Sequence, residues 1–286
     1  MIDLFASIAL SSLLYVIFKS FSIYKVNTLH AIVVNYVFAC ITGIFMSGVK
    51  PDVVEIVNKP WIWGAVALGV LFITIFNVMA RTSQVHGLSV ASVASKMSLV
   101  VPVVAGIMLY NEELETWNVI GIVLALISVY LTSMRPSDDG KKSASWWLPI
   151  LLFFGSGTID TTLKYVEKTY LSTGEDSIFS ATIFACAFVF GIIALIYTVI
   201  RGERFTLRSF LGGIILGVPN FFSIFFLVRA LRAFDLSSVA FTLNHMGTIL
   251  LTTIIGLLLF KERLRAINYI GVGVALLAIY LIVFLK

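Results

Sequence analysis

Charged residues are scarce in this chain. Asp, Glu, Lys and Arg make up 12% of its 286 residues, where a soluble domain carries about 25%. Hydrophobic residues make up 59% and the mean hydropathy is +1.03. This composition excludes a soluble domain and predicts a protein that crosses a membrane several times. The formal net charge of +5 falls at the ends of apolar runs, so it does not indicate a nucleic-acid surface.

Cysteine and histidine are also rare. The two cysteines, Cys40 and Cys186, lie within apolar runs, and the chain has three histidines. Without a Cys-x-x-Cys sequence or a histidine pair at ligand spacing, we expect neither a disulfide framework nor a metal site. A Walker A sequence is absent, so no ATP site is predicted. We find no nucleophile or His/Asp cluster for an enzyme, and we expect no catalytic residue and no cofactor.

Apolar runs of about 20 residues, the length that crosses a bilayer, recur along the whole chain. They predict an all-α integral membrane protein with ten transmembrane helices. The first run has no basic segment before it and no evident cleavage site, so we interpret it as a retained helix. Tryptophans fall at the span ends, as in an aromatic belt: Trp61, Trp63, Trp117, Trp146 and Trp147. The predicted spans are 3–22, 29–49, 61–81, 88–110, 116–134, 146–165, 178–200, 209–229, 236–259 and 266–285.

A polar connection at 135–145 divides the chain into two halves, 1–134 and 146–286, which we interpret as one transport unit. The halves resemble each other at near-constant shifts. The matching pairs are Gly64/Gly212, Arg81/Arg229 and Leu88/Leu236 at a shift of 148, and Glu112/Glu262, Asn118/Asn268 and Gly121/Gly271 at a shift of 150. Each half holds five spans, an odd number, so the second half begins on the opposite side of the membrane. The sequence therefore predicts two inverted five-helix repeats, an architecture of secondary transporters.

These residues resemble the drug/metabolite transporter superfamily, specifically its EamA-like ten-helix branch. The resemblance covers essentially the whole chain and rests on Glu112 with Gly121, Glu262 with Gly271, and Pro102. It implies a central cavity between two inverted repeats, alternating access and both termini in the cytoplasm. The Lys and Arg bias of the loops instead favours both termini outside. The sequence also departs from the pattern, because the ninth span has no proline matching Pro102.

Lys96 is the first candidate for function, because it lies inside the apolar run 88–110. Lys96 lies eight residues after the start of this run. A lysine so far inside a membrane-spanning helix costs about 2.5–3.5 kcal/mol on scales of membrane insertion. The repeat places its counterpart at Asn244 or His245. We expect Lys96 to bind an anionic group that Asn244 and His245 orient, with His245 also suited to proton coupling. The alternatives are an internal pair of Lys96 with Asp160, and a His245 that is only a hydrogen-bonded core residue.

Five further polar residues lie within predicted spans. Asp160 and Lys164 share one face of the sixth span, as a local ion pair or as a gate or proton site. Asn35, Asn77 and Asn220 are interhelical hydrogen-bonding residues or line the cavity.

Other spaced residues favour structural roles. Arg81 and Arg229 are predicted interface anchors. Glu262, like Glu112, is expected at a span end, where it pairs with a neighbouring loop cation. The sequence Gly213-x-x-x-Gly217 predicts close helix packing.

Together these features predict a secondary transporter that moves a small polar, anionic or zwitterionic metabolite, such as an amino acid or organic anion, by alternating access. Its expected partners are the substrate, the lipid bilayer, and a coupling proton or counter-substrate, with no nucleic acid. The expected location is a bacterial inner membrane. The alternatives are an exporter of hydrophobic compounds, to which the many phenylalanines would be suited, and a non-transporting membrane scaffold.

Overall fold

The structure is a computed structural model that describes residues 2–48, 52–101, 104–105, 116–133, 146–172, 174–233, 237–262 and 264–284. Most of these residues are helical, and none of them lies in a β-strand. The helices are α1 (Ile2–Ile23), α2 (Thr28–Ser47), α3 (Val53–Val57), α4 (Ile62–His86), α5 (Leu88–Met97), α6 (Thr116–Ser133), α7 (Trp147–Tyr170), α8 (Asp176–Ile200), α9 (Leu207–Ala233), α10 (Ser237–Leu258) and α11 (Ala266–Phe284).

Within the part of the chain that the structure describes, five helices are long and apolar enough to cross a membrane: α1, α2, α4, α8 over Ser177–Ile200, and α9 over Leu207–Leu227. Shorter apolar stretches occupy α6, α10 and α11. The predicted all-α membrane class is therefore confirmed. Every predicted span overlaps a helix, although α5 ends at Met97 and covers only the first part of 88–110. Pro102, Glu112 and the connection 135–145 lie outside the described residues, and the number of ten crossings stays a prediction.

The chain forms two compact units. Unit 1 consists of Met1–Lys19, Val78–Thr158 and Ser223–Lys286, and unit 2 consists of Ser20–Asn77 and Ile159–Phe222. Each unit thus draws on both halves of the sequence. The compact units are defined by which residues lie close together, whereas the two repeats are defined by sequence similarity. The two divisions therefore need not coincide, and the sequence repeats stay a prediction.

Contacts join helices that occupy equivalent places in the two predicted repeats: α2 with α8, α5 with α10, and α6 with α11. Within unit 2, α2 and α8 run antiparallel. A Cβ added to Gly191 would lie 2.9 Å from Val33 Cγ2, and one added to Gly43 would lie 3.3 Å from Ala181 Cβ. Higher residue numbers on α2 therefore face lower residue numbers on α8, as in any antiparallel pair.

The other two pairs, both in unit 1, are antiparallel as well. Ser92 of α5 accepts a 2.7 Å hydrogen bond from Thr252 Oγ1 of α10, and further along α5 the Lys96 carbonyl meets His245 at 3.1 Å. The end of α6 meets the beginning of α11, where Asn268 Nδ2 donates to the Leu131 carbonyl at 3.0 Å.

Two residues that were predicted at the membrane interface, Trp61 and Arg229, have different surroundings from those expected. Trp61 does not belong to an exposed belt, because its side chain is fully buried and its Nε1 donates to Glu175 Oε2 at 3.0 Å. The other four tryptophans are exposed, as expected. Arg229 lies inside α9, which continues to Ala233, and its Nε is 3.6 Å from Asp3 Oδ2 of α1.

Close packing at Gly213-x-x-x-Gly217 is confirmed. A Cβ on Gly213 would lie 2.7 Å from the Ala31 carbonyl oxygen, and one on Gly217 would lie 2.8 Å from the Asn35 carbonyl oxygen. Both obstacles are backbone atoms of α2, which cannot rotate away. The two glycines therefore set the distance between α2 and α9.

An ion-pair cluster fastens the connection before α4 to the beginning of α8. Lys59 Nζ lies 2.8 Å from Glu55 Oε1 and 2.9 Å from Glu175 Oε1. The hydrogen bond and ion pair with Glu55, then those with Glu175, raise the pKa of Lys59 from 10.5 to about 12. The Lys59 hydrogen bond is the largest influence on Glu175 and lowers the pKa of its carboxyl group below 4.5.

We predict that Gly213→Ala lowers the thermal midpoint of the purified protein, at a cost of about 1–3 kcal/mol, because α2 and α9 must separate to admit the methyl group. The matched control is Gly273→Ala in α11, where an added Cβ meets nothing within 4 Å. That variant should be neutral or slightly more stable, since alanine favours a helix. Equal losses in both variants would contradict the packing role of Gly213.

We predict that the stabilising effect of Lys59, measured as the difference in thermal midpoint between wild type and Lys59→Met, depends on pH. Glu175 has a lowered pKa, so its contribution is complete above 4.5 and disappears as the pH falls through its folded-state value. Lys59 has a raised pKa, so its contribution is complete below 10.5 and disappears as the pH rises through about 12. A difference that stays constant from acid to neutral pH would contradict the ion pair.

Candidate functional site

The N-terminus of α5 is held by a carboxylate from the other half of the sequence. Gly87 precedes the helix with a φ of 96°, a conformation that favours glycine. The next amide, Leu88 N–H, donates to Glu262 Oε1 at 2.8 Å. An anionic acceptor at this place satisfies a free helix amide and complements the helix dipole. Glu262 therefore has the structural role that the sequence predicts.

The cation beside Glu262 differs from the one expected. Lys19 Nζ, 3.9 Å from Glu262 Oε1, belongs to the last part of α1 and not to a loop. The same ammonium group donates to the Gln84 carbonyl at 3.3 Å. Gly256 of α10 leaves room for the carboxylate, since a Cβ there would lie 2.6 Å from Glu262 Oε2. This cluster joins α1, α4, α5 and α10 at one level of unit 1.

Further along α5, three hydrogen bonds connect α10 with α5 and with α1. Thr252 Oγ1 donates to Ser92 Oγ at 2.7 Å, His245 Nδ1 lies 3.1 Å from the Lys96 carbonyl, and Asn244 Nδ2 donates to Ser7 Oγ at 2.9 Å. We call this group the polar seam; its members are Ser7, Ser92, Lys96, Asn244, His245 and Thr252. Except for the half-buried Lys96, each of them is buried.

In unit 1, His245 of α10 lies against the backbone carbonyl of Lys96 on α5, and Asn244 is the sequence neighbour of His245 on the same helix. Ser95 and Met97 on either side of Lys96 are buried, whereas Lys96 itself is half-buried. The Lys96 carbonyl can only accept, so the hydrogen of the His245 bond lies on Nδ1. The neutral imidazole then has its acceptor at Nε2.

Several polar atoms of unit 1 are buried without a hydrogen-bond partner among the described residues: Ser12 Oγ, Ser89 Oγ, Asn244 Oδ1 and Thr253 Oγ1. An unpaired polar atom in an apolar interior costs about 1–3 kcal/mol, so it indicates a water or a ligand. Asn244 Oδ1 stands out because its residue is fully buried and belongs to the polar seam. An amide oxygen has only acceptor capacity, so it requires a donor.

The predicted residues of unit 2 have a different arrangement. Asn220 Nδ2 donates to Asn35 Oδ1 at 3.1 Å, and both side chains are buried between α9 and α2. Asn77 donates to the carbonyl of Ile73 in its own helix at 2.6 Å. Asn35 and Asn220 therefore make the interhelical bond that was one of the two expectations.

Asp160 is half-buried on α7 and Lys164 lies four residues later on the same helix. The Lys164 side chain is outside the described side chains, so their ion pair or gating role stays a prediction. Among the described residues, no group of three or more His, Cys, Asp or Glu side chains is placed to hold a metal ion.

Sequence reasoning missed Ser7, Ser92 and Thr252. A signal for two of them was present, because Asn244, Thr248 and Thr252 recur every four residues and so share one face of α10. Ser89, Ser92 and Lys96 likewise follow helical spacing along α5. No comparable pattern marks Ser7, whose role depends on the packing of α1 against α10.

The fold and the polar seam define this chain as an all-helical membrane protein with a buried polar contact between apolar helices. No model of a known protein family matches the sequence. The chain is 30% identical over 269 residues to an uncharacterized protein of Haemophilus influenzae, an alignment that covers 89% of this chain and 88% of that protein. It belongs to the same family as that protein.

We predict that Glu262→Ala lowers the free energy of unfolding by roughly 0.5–2 kcal/mol, the usual cost of losing an N-terminal helix cap. Glu262→Gln keeps an oxygen acceptor for Leu88 N–H, so its stability should fall less. This variant loses only the negative charge that interacts with Lys19 and with the helix dipole. Thermal unfolding of the three proteins gives the order. If the glutamine variant loses as much as the alanine variant, the charge and not the cap stabilises the site.

Proposed function

We propose that this protein is a secondary transporter of the drug/metabolite transporter superfamily, in its EamA-like ten-helix branch, and that it moves a small anionic or zwitterionic metabolite by alternating access. The observation that carries the proposal is the polar seam. There the backbone of Lys96 meets His245, and Asn244, the sequence neighbour of His245, is buried as well. Ionisable groups in such surroundings mark substrate or ion pathways in membrane proteins.

Each of the three residues has a role in this proposal. The Lys96 ammonium attracts the carboxylate or phosphate of the substrate. Asn244 Oδ1, which is buried without a donor among the described residues, accepts a hydrogen bond from the substrate or from a water that accompanies it. His245 positions the Lys96 backbone through Nδ1 and is the candidate for proton coupling.

The helix directions support the inverted repeat. If five spans precede the second half, equivalent helices of the two repeats must run in opposite directions across the membrane. The pairs α2/α8, α5/α10 and α6/α11 are antiparallel, as this arrangement requires. A gradient or a counter-substrate drives transport in this proposal. Apolar helices and a bacterial relative support a location in a bacterial inner membrane.

An exporter of hydrophobic compounds has less support. It would use aromatic side chains to line a cavity, whereas Tyr36, Phe72, Phe76 and Phe184 pack on one another in unit 2 with ring centroids 5.5–6.1 Å apart. A scaffold without a ligand would not require Lys96 or an amide oxygen without a donor. Both alternatives predict that polar anions leave the protein unchanged.

We predict that an anionic or zwitterionic metabolite raises the thermal midpoint of wild-type protein but not that of Lys96→Ala. A ligand at about 100 times its Kd stabilises by about 2.7 kcal/mol. The screen covers amino acids, organic anions, nucleotides and sugar phosphates. Lys261→Ala, which removes an exposed lysine, is the matched control and should keep the full shift.

Exchange of the stabilising compound across sealed proteoliposomes then tests transport itself. Binding without exchange would argue against a transporter. An equal shift in wild type and Lys96→Ala would place the binding site away from Lys96. A response only to hydrophobic compounds would favour the exporter, and no response to any compound would favour the scaffold.

A further inference from the structure

Two connections of unit 2 meet at one end of its helices. The first, residues 24–27, joins α1 to α2, and the second, residues 201–206, joins α8 to α9. Asn27 holds them together, because its Nδ2 donates to Glu203 Oε2 at 2.6 Å and its backbone N–H donates to Ser209 Oγ at 3.2 Å. The fold thus builds one surface from two parts of the chain that are far apart in sequence.

Four exposed cations lie at this surface, which we call the basic patch: Lys25, Arg201, Arg204 and Arg208. Three of them belong to the two connections, and Arg208 is the neighbour of Ser209. Among the residues that the structure describes, none of the four forms an ion pair with a carboxylate. Glu203 is the one acidic residue in the two connections, and its carboxylate is bonded to Asn27. The basic patch therefore has an excess of positive charge.

The opposite end of unit 2 has a different charge pattern. There Lys59 Nζ lies 2.8 Å from Glu55 Oε1 and 2.9 Å from Glu175 Oε1, so its charge is balanced within the protein. The positive charge of the basic patch, in contrast, stays available to an anion from outside the protein.

The basic patch borders the apolar surface of the helices. The stretch of α8 that can cross a membrane ends at Ile200, and that of α9 begins at Leu207. These two side chains are 79% and 71% exposed. Arg201 lies over the ring of Tyr197, 5.2 Å from its centroid, and donates to the tyrosine hydroxyl at 2.9 Å. Tyrosine is enriched at the level of lipid headgroups, so this contact favours that level for the cations.

We propose that the basic patch binds the headgroups of anionic phospholipids. Three of its four cations are arginines, and a guanidinium group presents N–H donors in a fixed fork that matches two oxygens of a phosphate. Clusters of Lys and Arg beside a membrane-spanning helix are attracted to anionic lipid surfaces. The exposed Ile200 and Leu207 contact the acyl chains of the same lipids. This binding does not depend on the proposed transport function.

The test measures the thermal midpoint of the full-length protein in an uncharged detergent. Short-chain phosphatidylglycerol, short-chain phosphatidylcholine or inorganic phosphate is added at increasing concentration. Phosphatidylglycerol should raise the midpoint of wild type, with a half-saturating concentration that increases with salt, because exposed charges are screened. Phosphatidylcholine, which has no net charge, and inorganic phosphate, which has no acyl chain, should give no shift. An equal shift with either of them, or no shift with phosphatidylglycerol, would overturn the proposal.

Three double variants locate the binding site. Arg204→Gln with Arg208→Gln should raise the half-saturating concentration by about fivefold for each cation removed. Arg204→Lys with Arg208→Lys keeps the charge without the fork and should lie between wild type and the glutamine variant. Lys261→Gln with Arg265→Gln removes two exposed cations of unit 1 and, as the matched control, should keep the wild-type response. An unchanged response in the first variant, or an equal loss in the control, contradicts binding at the basic patch.

Discussion

A polar group that leaves water for the interior of a bundle of apolar helices needs a partner within the protein. Nothing in a hydrocarbon environment replaces the lost hydrogen bond. Many hydroxyl groups of this chain bond to a carbonyl of their own helix, as Thr248 does to Asn244 at 2.7 Å and Thr42 does to Phe38 at 2.6 Å. Thr252 contacts the Thr248 carbonyl of its own helix and also Ser92 of α5, at 2.7 Å in each case, so its hydroxyl group connects two helices.

The same environment explains the importance of small residues. Apolar side chains gain little by leaving lipid for protein, so helix association depends on close contact and on hydrogen bonds. Gly213 and Gly217 bring α2 against α9 along one face, and Gly43 and Gly191 bring it against α8. The buried Asn35–Asn220 bond forms at the first of these interfaces. Close packing and polar pairing thus support each other within unit 2.

A comparison of two buried amides separates a structural site from the candidate functional one. Asn35 has a partner for each of its two polar atoms, because its oxygen accepts from Asn220 Nδ2 and its own Nδ2 donates to the Ile32 carbonyl. Asn244 donates to Ser7, but its oxygen has no donor among the described residues, and its neighbour His245 bonds to the backbone of the half-buried Lys96. The acceptor without a donor among the described residues therefore belongs to the residue next to the one that contacts the Lys96 backbone. This combination, and not polarity alone, is the reason for proposing a ligand at the polar seam.

The amino-acid sequence by itself determined the class of protein, the positions of the helices and the matching of the Lys96 segment with the segment of Asn244 and His245. These properties depend on local hydropathy and on the spacing of repeated residues, both of which can be read along one chain. The role of Glu262 was predicted in kind, but its cation was not, because Lys19 reaches it from α1. Only the tertiary structure decided that Asn35 pairs with Asn220, that Trp61 is buried, and that Ser7 contacts Asn244. Each of these depends on the register and separation of helices far apart in sequence, which result from packing over a whole interface and not from a local pattern.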